Sequence, residues 1–108
     1  MKNKEIIAIN KMQEYINKVF KYTNGYTYEM FIKDDKTIDA TVFAISQIGE
    51  LVKNIEEETK NQHKEIAWNV IKNLRNKIVH DYEGINIVII WDIIQNDLPD
   101  LMENLKKI

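Results

Sequence analysis

The only arginine of the chain, Arg75, lies five residues before one of its two histidines, His80. An arginine guanidinium presents a planar fork of N–H donors that suits phosphate oxygens. A neutral imidazole can accept a proton from a ribose hydroxyl near neutral pH. Together these side chains have the chemistry for metal-free RNA cleavage, in which the imidazole deprotonates the 2′-hydroxyl and the guanidinium stabilises charge on the phosphoryl oxygens.

The same two residues also have a purely structural interpretation. A histidine near the C-terminal end of a helix can hydrogen-bond the last carbonyls and interact favourably with the helix dipole. An exposed arginine often does no more than pair with a carboxylate, for which Glu50 is a candidate, although Glu50 could equally be an ordinary surface residue. Residue types and spacing leave both interpretations open.

The spacing limits how Arg75 and His80 could act together. Five residues apart on a regular helix, their side chains would diverge by about 140°. Asn76 and His80, four residues apart, would share a face. Either the helix loosens at His80, or two copies of the chain assemble one catalytic surface, with one histidine as base and the other as acid.

The elements that must position these residues are predicted to be helices throughout, which makes the chain all-α with one domain over residues 1–108. Apolar residues at three- and four-residue spacing predict a helix over 4–22 and a short helical turn within 26–32. A third helix has its buried stripe over 38–55. A polar loop is predicted at 59–64, and a fourth helix from 67 to near 81 carries the arginine and the histidine.

A fifth helix is predicted from Asn86, which can cap it, to Ile108. Pro99 lies inside this helix and removes one backbone donor, so a kink is expected there, or a restart capped by Asn96 or Asp97.

The first half of the fifth helix is apolar around most of its circumference and includes the longest apolar run of the chain, residues 87–91. Such a helix must be buried in the bundle or in a partner. Val79 is predicted to lie on the exposed side of the fourth helix, with Arg75. Both features favour a homodimer, because twofold dimers are the commonest oligomers.

Composition excludes several classes of protein and site. No apolar stretch approaches the roughly 20 residues of a membrane span. The absence of cysteine excludes disulfides, thiolate zinc sites and cysteine nucleophiles. No metal site or cofactor is expected, and the lack of a secretory signal pattern favours the cytoplasm. Because the formal net charge is only −2, any contact with nucleic acid must come from a local basic patch.

The chain resembles the HepT-like ribonucleases of the HEPN (higher eukaryote and prokaryote nucleotide-binding) superfamily, the toxin halves of HEPN/minimal-nucleotidyltransferase pairs. The hallmark of that family is arginine, four residues, histidine, one residue and tyrosine, which Arg75, His80 and Tyr82 match in full. Asn76 matches the polar residue that commonly follows the arginine. Residues 28–31, 48–50 and 90–99 match further segments in family order, so the resemblance extends from residue 4 to 108.

This resemblance implies a helical bundle of about five helices, a homodimer with paired motifs near its interface, and a metal-independent endoribonuclease toxin of a type II toxin–antitoxin system. It acts on RNA and is not expected to act on DNA. Arg75 and His80 are then catalytic, Asn76 supports or orients them, and Tyr82 is where the partner nucleotidyltransferase attaches AMP. The added phosphate would put bulk and negative charge where an RNA phosphate should lie.

The alternative comes from another class of protein. In it the chain is a catalytically silent helical partner whose task is to bind the minimal nucleotidyltransferase.

Overall fold

The computed structural model describes residues 1–80 and 84–108, with the backbone alone described at residues 79, 80, 84 and 85. Its centre is a pair of long helices, α1 (Asn3–Thr23) and α3 (Asp35–Leu51), which pack along each other. The buried residues of α1 include four apolar ones at three- or four-residue spacing, Ile9, Met12, Ile16 and Val19. This confirms the helix predicted over 4–22, because that spacing places all four on one face.

The turn between these helices holds the short helix α2 (Tyr28–Ile32), as predicted. Gly25 adopts a φ of +77°, a left-handed conformation that glycine accepts without steric cost. Asp34 caps α3 by accepting a hydrogen bond from the backbone N–H of Thr37 at 3.1 Å. The Tyr26 hydroxyl donates to the same carboxylate at 2.6 Å and so fixes the cap to the turn.

The end of α3 and the segment after it differ from the prediction. α3 ends at Leu51 and passes through a 3₁₀ turn (Val52–Asn54) into α4 (Glu57–Gln62). The loop predicted at 59–64 was therefore wrong for residues 59–62, whereas residues 63 and 64 do lie outside any helix. Two glutamates in the first turn of α4 suit the positive end of the helix dipole. A buried carboxylate from α1 holds the start of α4, because Glu5 accepts a hydrogen bond from the backbone N–H of Glu56 at 3.2 Å.

The predicted fourth helix is divided and shorter than expected. It consists of α5 (Trp68–Lys72) and α6 (Leu74–Ile78), and it ends three residues before the predicted end near 81. Strands β1 (Val79–His80) and β2 (Gly84–Ile85) follow as a two-residue antiparallel pair.

The predicted fifth helix runs as α7 (Ile87–Asp92), a π-helical turn (Ile93–Asp97) and α8 (Leu98–Leu105). The predicted cap is confirmed, since the Asn86 side chain accepts from the backbone N–H of Ile89 at 3.2 Å. The expected irregularity lies just before Pro99, where Leu98 N–H donates to the Ile93 carbonyl five residues back. Neither predicted restart cap forms. Asp97 makes no side-chain cap, and Asn96 Nδ2 donates to Asp92 Oδ1 at 2.7 Å.

These elements confirm the all-α class, although eight helices in the described ranges replace the predicted five. Helices α1, α3, α5, α6, α7 and α8 all contribute side chains to one apolar core. Within residues 1–80 and 84–108, no helix combines the length and apolarity needed to cross a bilayer.

The apolar start of the last helical stretch is only partly covered within one chain. Ile90 is fully buried, whereas Val88 is 63% exposed. The side chain of Val79, also predicted to be exposed, lies outside the described residues. The homodimer therefore stays a prediction.

Candidate active site

Helices α5 and α6 place Arg75 and Asn76 at the surface. The backbone N–H of Asn73 is shared between the carbonyls of Asn69 (3.3 Å) and Val70 (3.2 Å), which marks the break between the two helices. Beyond the break, Leu74 and Ile78 are buried against the core. Arg75 and Asn76 are therefore exposed, as the sequence predicts for residues between two inward positions.

The chain leaves the helical path just before His80. α6 ends at Ile78, whose carbonyl accepts a hydrogen bond from Asn86 N–H at 2.8 Å. The backbone of His80 then pairs with Gly84 in the two-stranded ladder. The expectation that Asn76 and His80 share one helical face was wrong, because His80 is not part of the helix. The helix does loosen before His80, which was one of the two arrangements expected from the spacing.

The side chain of His80 and the whole of Tyr82 lie outside the described residues.

Gly49 of α3 determines how closely the backbone of α5 approaches α3. A β-carbon at position 49 would lie 3.1 Å from both the Ile71 and the Lys72 carbonyl oxygens. Only a glycine lets the backbones of α3 and α5 come this close without displacement. Sequence reasoning did not single out this role, although a glycine in the apolar stripe of a long helix is a signal for close backbone approach.

Glu50, the candidate carboxylate partner of Arg75, pairs instead with Lys53, whose Nζ lies 2.6 Å from Glu50 Oε2. The hydrogen bond and charge of Lys53 lower the pKa of Glu50, and the Arg75 charge adds a weaker effect in the same direction. In the described part of the chain, no carboxylate lies within 4.0 Å of the Arg75 guanidinium. Its donors are thus available to an external anion.

A second carboxylate near this segment was not foreseen. Asp97 Oδ2 lies 3.9 Å from Lys77 Nζ, and it is a buried oxygen without a hydrogen-bond partner among the described residues. Burial raises the pKa of Asp97 above its usual value, against the opposing effect of Lys77. An aspartate between the apolar residues Ile94 and Leu98 of the last predicted helix was the signal available in the sequence.

Across residues 1–80 and 84–108, no three His, Asp or Glu side chains form a group that could hold a metal ion.

Comparison with known proteins identifies relatives over nearly the whole chain. The family model described as "Ribonuclease HepT-like" matches residues 12–108. A predicted RNase from Methanocaldococcus jannaschii is 37% identical over 95 residues, which cover 88% of this chain and 78% of the relative. The "Probable ribonuclease HepT" of Thermococcus cleftensis is 31% identical over 108 residues, 100% of this chain and 98% of the relative. No solved structure matches significantly.

Proposed function

We propose that this chain cleaves RNA without a metal ion through Arg75 and His80. The premise is that the chain belongs to the HepT-like ribonuclease family and is an endoribonuclease. The observation that best supports this assignment is the end of α6 at Ile78. Because the helix stops there, the divergence of about 140° that a regular helix would impose does not apply to the two residues.

The proposed reaction uses the ribose 2′-hydroxyl as nucleophile. The His80 imidazole takes the proton from this hydroxyl, whose oxygen attacks the adjacent phosphorus while the bond to the 5′-oxygen breaks. Arg75 donates hydrogen bonds to the phosphoryl oxygens as negative charge accumulates on them. Asn76, exposed beside Arg75, orients the substrate or the guanidinium. This reaction requires the 2′-hydroxyl, so DNA is not a substrate.

We further propose that the enzyme is a homodimer in which the second His80 acts as the acid. The exposed apolar side chain of Val88 on α7 supports a partner surface, because the start of that helix is only partly covered within one chain. Light scattering at micromolar concentration is expected to give twice the chain mass of 12.8 kDa. A mass near that of one chain would contradict the dimer.

The cellular role we propose is that of a toxin of a type II toxin–antitoxin system in the cytoplasm. Its antitoxin is a minimal nucleotidyltransferase that transfers AMP from ATP to the hydroxyl oxygen of Tyr82, with release of pyrophosphate. Tyr82 completes the family hallmark together with Arg75 and His80. A phosphate at this position would repel the RNA backbone and so silence the enzyme.

Cleavage is tested by incubating total RNA with purified protein in EDTA. The wild type is expected to fragment RNA, and His80→Ala is expected to be slower by a factor of about 10² to 10⁴, the usual contribution of a general base. Lys21→Ala, which changes an exposed residue on α1, serves as the control and should cleave like the wild type. If wild type and His80→Ala leave RNA equally intact, the chain is instead a silent binding partner of the nucleotidyltransferase.

Modification is tested by mass spectrometry of the protein after co-expression with a minimal nucleotidyltransferase. An AMP adduct is expected on Tyr82, and Tyr82→Phe should carry none because the acceptor oxygen is missing. Absence of the adduct from the wild type would overturn the AMPylation proposal and leave the cleavage proposal intact.

A further inference from the structure

A polar groove lies on α4 and α5, on the same helical stretch as the candidate active site. This α4–α5 groove has a volume of about 410 Å³, and its polar lining includes Lys60, Lys64, Asn61 and Asn69. Glu57 is the one acidic residue that lines it. The groove is therefore rich in N–H donors, which suits an anionic ligand.

The groove is lined by two lysines and one glutamate, and the segment that continues from it to the candidate active site is basic. Residues 59–80 contain five lysines or arginines and one glutamate, a formal charge of +4. Because the whole chain carries −2, the other residues together carry −6. The local basic patch that nucleic-acid binding requires in a near-neutral protein is thus present in the segment that bears Arg75.

Three exposed asparagines connect the groove to the candidate active site. Asn69, Asn73 and Asn76 are spaced by four and three residues along α5 and α6. The hydrogen bonds from Asn73 N–H to the Asn69 carbonyl and from Lys77 N–H to the Asn73 carbonyl continue the helical path across position 73, so the three residues lie along one side. The Asn73 amide donates to the Asn69 carbonyl at 2.9 Å, which holds the middle side chain along the helix. From Asn69 to Asn76 this asparagine track covers about 10 Å at the rise of an α-helix.

The surface on the other side of Val70 has the opposite character. Val70 also lines a cavity of about 200 Å³ between α5 and α8, which has an apolar wall and three carboxylates, Glu65, Asp97 and Asp100. A polyanion is repelled by these carboxylates and attracted to Lys60 and Lys64. Of these two surfaces, the charges favour the groove for a polyanion.

The lysines of the groove can engage phosphate. Lys64 is exposed. The Lys60 side chain is 19% exposed, so its stem is held against the protein, and its ammonium lies 3.5 Å from the exposed Glu57 carboxylate. Since an ammonium has three N–H donors, this one pairing leaves donors for a second anion.

We propose that the α4–α5 groove binds the phosphate backbone of single-stranded RNA that continues from the candidate active site along the asparagine track. This inference rests on the proposed function and extends it by a substrate-binding site remote from Arg75 and His80. The groove offers no stacking surface from its tryptophan, because Trp68 is buried and its Nε1 donates to the His63 carbonyl at 3.1 Å. Binding there follows the backbone and does not select a base sequence.

The test removes the two groove lysines in a background that does not cleave. Binding of a labelled single-stranded RNA of about 12 nucleotides, within the range of single-strand site sizes, is measured at several salt concentrations with His80→Ala protein. Adding Lys60→Gln and Lys64→Gln is expected to reduce the slope of log affinity against log salt by about 1.4, or about 0.7 for each lost phosphate contact. Affinity near physiological salt should then fall about 10-fold.

The matched control is Lys11→Gln with Lys21→Gln, which removes the same charge from exposed positions on α1. Its salt slope should equal that of the His80→Ala parent. If the salt slope falls equally in the groove and control variants, or in neither, the α4–α5 groove does not bind the RNA backbone.

A second variant separates binding from folding. Asn69→Asp adds a negative charge to the groove in the first turn of α5, where a carboxylate favours the helix. In protein with His80 intact it should raise KM several-fold and leave kcat and the unfolding midpoint unchanged. An unchanged KM would contradict RNA binding in the α4–α5 groove. If the wild type does not cleave RNA, the proposed function fails, while the salt slopes still decide whether the groove binds RNA.

Discussion

The α1–α3 pair and the segment from α5 to β1 are both helical, but the first consists of long helices and the second of short, interrupted ones. Helices α1 and α3 run for 21 and 17 residues, whereas α5 and α6 last five residues each. The long pair buries an apolar stripe along its length. The shorter segment buries Leu74 and Ile78 but exposes Arg75 and Asn76 between them.

The α1–α3 pair therefore supplies most of the stability, and the α5–β1 segment carries the candidate functional side chains. Apolar burial supplies most of the free energy of folding, so the long pair holds the molecule together. The α5–β1 segment breaks its helix at Asn73 and leaves it at Ile78, which exposes its polar side chains. Substitutions in the two regions should therefore affect different measurements.

After His80→Ala, the largest expected effect is on cleavage by Arg75→Lys. A lysine keeps the positive charge but lacks the planar fork of donors, and loss of one such transition-state contact typically costs about 10²- to 10³-fold in kcat. Measured kcat should fall by that factor with RNA as substrate. The thermal unfolding midpoint should stay unchanged because Arg75 is exposed. A lower midpoint would mean that Arg75 contributes to the stability of the fold, as the buried residues of the α1–α3 pair do.

In the scaffold, Ile45→Ala is expected to reduce the free energy of unfolding by about 2–5 kcal/mol, since Ile45 is fully buried on α3. Urea denaturation measures the loss, and activity per folded molecule should be close to that of the wild type. Phe43→Ala is the control two residues away, where the ring is 60% exposed and the expected loss is below about 1 kcal/mol. Equal losses at the two positions would contradict the buried stripe.

Gly49→Ala tests the contact between the two regions. The new methyl group would lie 3.1 Å from two carbonyl oxygens of α5, and such overpacking typically costs about 1–3 kcal/mol. Alanine also favours the helix by up to about 1 kcal/mol, so the net loss of stability should be small. The sharper result is a reduced kcat, because α5 must shift and carry Arg75 with it. Gln47→Ala on the same helix is the control and should change neither value.

The last prediction concerns acid stability and Glu5, which ties α1 to the start of α4. Its carboxylate contacts the Thr59 hydroxyl and the backbone N–H groups of Lys2 and Glu56, and these contacts lower its pKa to about 2. The stability that it contributes is present above its usual pKa of 4.5 and is lost as the pH falls towards 2.

Urea midpoints measured from pH 7 to pH 2 should show this loss in the wild type. Glu5→Gln should remove that part of the pH dependence, because an amide does not titrate. Glu14→Gln, at an exposed position on α1, should retain it. If the Glu5→Gln midpoints follow the wild-type pH dependence, another group is responsible for the acid sensitivity.

Local sequence signals succeeded where the determinants lie close along the chain. The spacing of Met12, Ile16 and Val19 predicted α1, and Asn86 and Pro99 predicted a cap and an irregular turn that the structure contains. They failed at α4, where Thr59 is the one buried residue and no apolar stripe marks a helix. That helix is held by Glu5, more than 50 residues earlier, which no local pattern reveals.

The sequence by itself determined the helical class and the residues with the chemistry for RNA cleavage, since both follow from residue types and short spacings. Only the tertiary structure decided where the Arg75 helix ends, because the Ile78 carbonyl is bound by Asn86 and His80 pairs with Gly84. It also decided that Glu50 turns to Lys53 and that Gly49 sets the approach of α5 to α3. Some of these contacts join residues far apart in the chain, such as Gly49 and Ile71, and others join near neighbours, such as Glu50 and Lys53. Their free energies are of the same size as local helix preferences, so the helical pattern alone does not reveal them.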